Sequence, residues 1–155
     1  MMREAMKQMW STVAVAVLVT ACGGQPPETL GVLEDGTLPP CPVTPNCVHT
    51  GMRHPEGTEP VFLRTDLALG EVMSDLLRVA EAMPRTTVMM ATDDYLHVEA
   101  RSRLFRFIDD LELVVTDDRE LMVRSASRLG RSDLGANGRR LLQLREALGE
   151  AGILR

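Results

Sequence analysis

The chain has 155 residues, 45% hydrophobic and 25% charged, with a formal net charge of −5 at pH 7. That length suits one domain with a real core, and the acidic balance argues against general nucleic-acid binding. With one Trp, one Tyr and three Phe, the core must come from Leu, Val, Met and Ala.

Residues 1–21 read as a lipoprotein signal peptide. Arg3 and Lys7 charge the first stretch, and Met9–Val19 is apolar. That run is shorter than the roughly 20 residues needed to span a bilayer. It ends in Val19-Thr20-Ala21-Cys22, the pattern of a bacterial lipobox, which makes Cys22 the expected lipidation site and mature N-terminus. Each buried acyl methylene contributes about 0.8 kcal/mol, so two or more chains anchor stably. The expected place is the cell envelope, lipid-anchored and facing the periplasm. Gly23 rather than Asp after the cysteine leans sorting to the outer membrane. Residues 22–37, rich in Gly and Pro, read as a flexible tether, and residues 38–155 as one domain.

With Cys22 taken by lipid, Cys41 and Cys47 remain as an even pair in an oxidising compartment, which favours a disulfide. It closes a small loop, worth about 2 kcal/mol in the chain-entropy model. His49 and His54 follow closely, and two Cys with two His can bind zinc. The proline-rich spacing is not that of a zinc finger, so neither a metal nor another cofactor is expected. Leu38–Glu59 reads as an irregular loop.

Asp66–Met83 carries the first helix signal. Leu69, Val72, Met73, Leu76, Val79, Ala80 and Met83 form an apolar stripe, with Thr65 or Asp66 as N-cap and Pro84 as stop. Strand signals follow at Thr86–Ala91, Tyr95–Arg103, Asp110–Val115 and about Leu121–Arg124, with turns at Asp93-Asp94 and Asp117-Asp118. Phe105 and Phe107 are expected to cover a core edge. The last helix is expected over Gly138–Leu148, with Asn137 as N-cap and Gly149 or Gly152 as stop. Such short connections favour an antiparallel meander. The expected fold is an α+β two-layer sandwich: a four-stranded antiparallel meander with both helices on one face. The other face would carry His97, Glu99, Arg101, Asp110, Glu112 and Arg124 to solvent.

Several segments together resemble a known family. They are Leu38-Pro39-Pro40-Cys41-Pro42 with Pro45-Asn46-Cys47-Val48, Pro84-Arg85-Thr86, and Tyr95-Leu96-His97-Val98-Glu99. Phe105–Glu112, Arg124–Gly130 and Ser132–Asn137 continue the pattern. The chain resembles the family called domain of unknown function 1499 over about Leu38–Leu148, departing from its pattern at His49 and Gly138. The resemblance implies a membrane context in an envelope or organelle, and no established reaction.

Two site readings compete with a structural one. Residues 22–100 hold four arginines against twelve acids, whereas residues 101–145 hold ten arginines against seven. Arg101, Arg124, Arg128, Arg131, Arg139 and Arg140 could bind an anionic small ligand or an envelope protein, helped by free N–H groups at the last helix's start. The bland alternative is that Asp109, Asp110, Glu112 and Asp133 pair with these arginines. A small enzyme would instead use His97, Glu99, Ser125, Ser127, Asp109 and Asp110, although neither a G-x-S-x-G elbow nor an H-E-x-x-H motif is present.

Overall fold

The computed structural model describes residues 24–52 and 59–155. Residues 1–21, read above as a signal peptide, and Cys22 and His54 lie outside the described residues. The elements are β1 (Cys47–His49), β2 (Val61–Phe62), α1 (Leu69–Ala82), β3 (Thr86–Ala91), β4 (Tyr95–Arg101), β5 (Ile108–Val115), β6 (Glu120–Ser127) and α2 (Ala136–Glu150).

The fold is α+β, with six antiparallel strands rather than four. The order is β1-β6-β5-β4-β3, and β2 also pairs with β6. Of the two added strands, β1 lies in the stretch read as irregular and β2 just after it, before the first expected helix. β1 pairs with Arg124–Ala126 and β2 with Glu120–Leu121, so two short pieces share one edge of β6. Thr50 bridges them, donating its N–H to the Val123 carbonyl and accepting the Val123 N–H on its hydroxyl, both at 2.9 Å. Strands of three and two residues carry too little periodicity to be read from sequence.

Alternation along the strands sorts side chains to two faces. One carries Leu96, Val98, Leu111, Leu113, Leu121 and Val123. These join Val72, Leu76 and Val79 of α1 and Leu141, Leu144 and Leu148 of α2 in one apolar core. The opposite face is buried too, which corrects the expected solvent-facing layer: every residue of β5 is buried. The segment read as a tether lies across it. Leu38 packs with Tyr95 and Val114, and the Gly31 N–H donates to Glu112 Oε1 at 2.8 Å.

Helix boundaries differ from expectation at their caps. α1 starts after Ala68, whose N–H is accepted by the Glu71 carboxylate at 2.9 Å, as in half of a capping box. Asp66 instead pairs with Arg64. α2 is capped by Asp133, which accepts the N–H groups of Gly135 (3.0 Å) and Asn137 (2.6 Å). Asn137 is therefore inside the first turn and fully buried, on the same stripe as Leu141, Leu144 and Leu148. Phe105 and Phe107 do not cover the core; they stack on each other in solvent with centroids 5.5 Å apart.

Leu76 is fully buried where α1 meets the sheet. Leu76→Ala is expected to cost about 2–5 kcal/mol through lost burial and the cavity left behind, measured by urea unfolding.

Candidate functional site

Three carboxylates meet three arginines and a histidine on the face opposite the helices. Glu112, fully buried, accepts from Tyr95 Oη (2.9 Å), Arg124 Nη1 (2.8 Å) and the Gly31 N–H. Asp110 accepts from His97 Nε2 at 2.8 Å and from Arg128 Nε and Nη2 at 2.9 and 2.7 Å. Arg128 Nη2 also reaches Glu99 at 2.7 Å, and Arg101 pairs with the other Glu99 oxygen at 3.0 Å. The strand register forces this meeting: His97 lies opposite Glu112, Glu99 opposite Asp110, and Glu112 opposite Arg124. Burial alone pushes the Asp110 carboxyl up, but hydrogen bonds and charge from Arg128 and His97 outweigh it and hold it below its usual range. Burial also pushes the Tyr95 hydroxyl up, reinforced by the Glu112 charge.

The disulfide loop closes over one end of this face. Cys41 and Cys47 are bonded, with Cα atoms 5.7 Å apart. His49, beside them, is buried: its Nε2 donates to the Leu38 carbonyl at 3.2 Å, and its Nδ1 accepts the Gly51 N–H at 2.9 Å. Burial pushes its pKa down. Its ring thus serves the backbone of the covering segment.

A second polar cluster sits on the helix side. Ser125 Oγ donates to Asn137 Oδ1 at 2.6 Å. Asn137 Nδ2 donates to the Asn46 carbonyl and to Ser127 Oγ, both at 3.0 Å. Arg140 donates to Ser125 Oγ at 3.0 Å, to Asn137, and to Asp109 Oδ2 at 2.7 Å. This cluster fastens α2 to β6 and to the disulfide loop.

The two clusters dismantle the enzyme constellation. Ser125 and Asp109 face the helices, whereas His97 and Asp110 face the other way with the sheet between them. Among the described residues no imidazole or carboxylate hydrogen-bonds Ser125, so nothing activates it as a nucleophile. Ser127 serves Asn137, and Glu99 serves two arginines.

The arginines divide. Arg101, Arg124, Arg128 and Arg140 are each held by a carboxylate. Asp133 caps a helix rather than pairing with them. Arg131 is exposed, and Arg139 donates to the Leu134 carbonyl at 2.9 Å. Arg139 lines a cavity of about 220 Å³ between the start of α2 and the end of the sheet where β3 begins and β4 finishes, together with Arg85, Arg101, Arg103 and Arg140. Asp109 is the acid of this cavity and is already paired with Arg140. Arg85, Arg103 and Arg139 have no carboxylate partner among the described residues. Arg85 is held there by a left-handed backbone (φ 61) after Pro84; its carbonyl accepts the Arg101 N–H at 3.0 Å and its Nε donates to the Arg101 carbonyl at 3.2 Å. Arg85 and Arg103 were outside the sequence candidates. The Thr86–Ala100 pairing that places residue 85 opposite residue 101 was the signal for them.

The family model described as "Protein of unknown function (DUF1499)" matches residues 37–148, and the chain belongs to that family. No curated protein matches the chain.

Because its folded pKa is lowered, Asp110 contributes stability above its unfolded pKa that is lost as pH falls through the folded value. Arg128→Met removes the main partner of a buried carboxylate. It is expected to cost about 3–5 kcal/mol at neutral pH in urea unfolding. Acid unfolding followed by circular dichroism is expected to begin at a higher pH than in the wild type.

Proposed function

We propose that this family member is a lipid-anchored module of the cell envelope that binds a small oxyanion, phosphate- or carboxylate-bearing, in the arginine-lined cavity beside α2. One observation carries the binding reading: Arg85, Arg103 and Arg139 converge on one cavity without carboxylate partners. Arg101, Arg124, Arg128 and Arg140, by contrast, are each paired with a carboxylate. Guanidinium groups around a concavity suit planar, bidentate recognition of an oxyanion. The cavity is smaller than a drug-sized pocket, which limits the ligand or the part of it that enters. Arg85 supports the reading through its strain. A non-glycine residue in the left-handed region costs on the order of 1 kcal/mol, and the bond from its Nε to the Arg101 carbonyl holds the side chain at the rim against that cost.

The anchor rests on Cys22 and its preceding residues, with the outer membrane as the favoured site. Among the described residues no helix is long and apolar enough to cross a membrane. Intact mass of detergent-extracted protein is expected to show acyl chains on a chain beginning at Cys22; an unmodified Cys22 would sink the anchor.

Oxyanion binding is tested by the thermal midpoint against phosphate and citrate. The wild type is expected to gain stability with concentration, as any ligand specific to the folded state requires. Arg85→Gly relieves the left-handed backbone, so it is expected to fold at least as stably yet bind roughly tenfold more weakly. Arg139→Ala is expected to weaken binding similarly. Equal anion responses in all three proteins would refute the site.

A further inference from the structure

The two ends of the sheet differ in chemistry. At one end the β3–β4 and β5–β6 turns expose Asp93, Asp94, Asp117 and Asp118. The Val115 N–H donates to the Asp94 carbonyl at 2.8 Å and holds these turns side by side. At the other end lie the β4–β5 loop and the segment between β6 and α2, joined where the Arg128 N–H donates to the Ile108 carbonyl at 3.1 Å. This end exposes Arg106 and Arg131, and the Asp133 carboxylate is committed to capping α2. Between the arginines stand apolar side chains in solvent: Leu104 is 80% exposed, Phe105 65% and Leu134 86%. Aromatic and leucine side chains interspersed with arginines are the composition that partitions into a headgroup boundary.

The start of the described chain lies at the same end. A Cβ on Gly24 would meet Arg128 Cβ at 3.0 Å and Leu129 Cγ at 3.2 Å, and its φ is +68°. Both the contact and the backbone require glycine. Cys22 precedes Gly24 by two residues in the sequence.

We propose that this end of the domain is a membrane-docking face that lies on an anionic bilayer surface. Leu104, Phe105 and Leu134 enter the headgroup boundary, and Arg106 and Arg131 meet lipid phosphates. The anchor point rests on the lipidation reading above, whereas the chemistry of the face stands without it. A lipid at Cys22 would hold the domain close to the bilayer, because the chain after it is folded onto the sheet. The acidic turns at the far end reinforce the orientation, since an anionic surface repels them.

Site-selective fluorescence tests this on the full chain. A Trp10→Phe background removes the single tryptophan. Phe105→Trp then reports one end, and Phe62→Trp the other; Phe62 pairs with Glu120, about 20 Å away along β6. The protein is combined with vesicles of phosphatidylglycerol and phosphatidylcholine containing lipids brominated near the headgroups. The Phe105→Trp indole is expected to shift to shorter wavelength and lose intensity to the brominated lipid, and the Phe62→Trp indole to do neither. Arg106→Glu with Arg131→Glu is expected to reduce that quenching, as is raised salt. Equal quenching at both positions, or none at Phe105→Trp, overturns the proposal; a protein partner on this face would give the second result. The contrast reads the face whether or not Cys22 carries lipid, and Arg106 and Arg131 lie outside the oxyanion cavity. Failure of either earlier reading is therefore distinguishable from failure of this one.

Discussion

Glu99, Asp110 and Glu112 are buried side by side on β4 and β5, and the rest of the architecture answers that constraint. A buried carboxylate is tolerable only when charge and hydrogen bonds replace its water. Arg124 and Arg128 supply the charge from β6 and its end, and Tyr95, His97 and the Gly31 backbone supply further donors. The cover then becomes part of the same requirement. Without the segment from Gly24 to Leu38 the ladder would face water and be a row of weak surface pairs. With it, each pair becomes costly to break.

This explains why one face was legible in the sequence and the other was not. The Leu/Val alternation of β4, β5 and β6 and the stripes of both helices announce an apolar core directly. His97, Glu99, Asp110 and Glu112 alternate just as cleanly, and ordinarily that pattern means solvent. What reverses it is a long-range contact from a Gly/Pro-rich segment, which carries no periodicity of its own. Asn137 was misread for a related reason: asparagine before a helix suggests a cap, yet it continues the Leu141–Leu148 stripe, and that periodicity carried the correct answer. The arginine segment was legible as a charge imbalance. Which arginines remain unmatched depended on strand register, so Arg85 and Arg103 emerged only with the hairpin in place.

The sheet therefore separates tasks. The helix face and its Ser125–Asn137–Arg140 cluster fix α2 against the strands. The opposite face fixes the N-terminal segment and the disulfide loop. Both faces are largely committed to folding, and Arg85, Arg103 and Arg139 lie beyond them, beside the start of α2. Leu104, Phe105 and Leu134 stand exposed at the end of the sheet that Gly24 approaches.

From residue 8 onward the sequence uses arginine and no lysine, since Lys7 is the one lysine. A coding bias accounts for that at most positions, because nothing around Arg106 or Arg131 demands a guanidinium over an ammonium. Arg128 is different. Its Nε and Nη2 take both oxygens of Asp110 while Nη2 also reaches Glu99, an arrangement that uses the planar fork and that a single ammonium cannot span. Arg140 likewise joins a carboxylate, a hydroxyl and an amide from one group. A lysine there would keep the charge and lose the geometry, leaving buried acceptors short of donors. The bias and the physical requirement thus coincide at the two positions that tie carboxylates on β4 and β5 to what lies beyond β6.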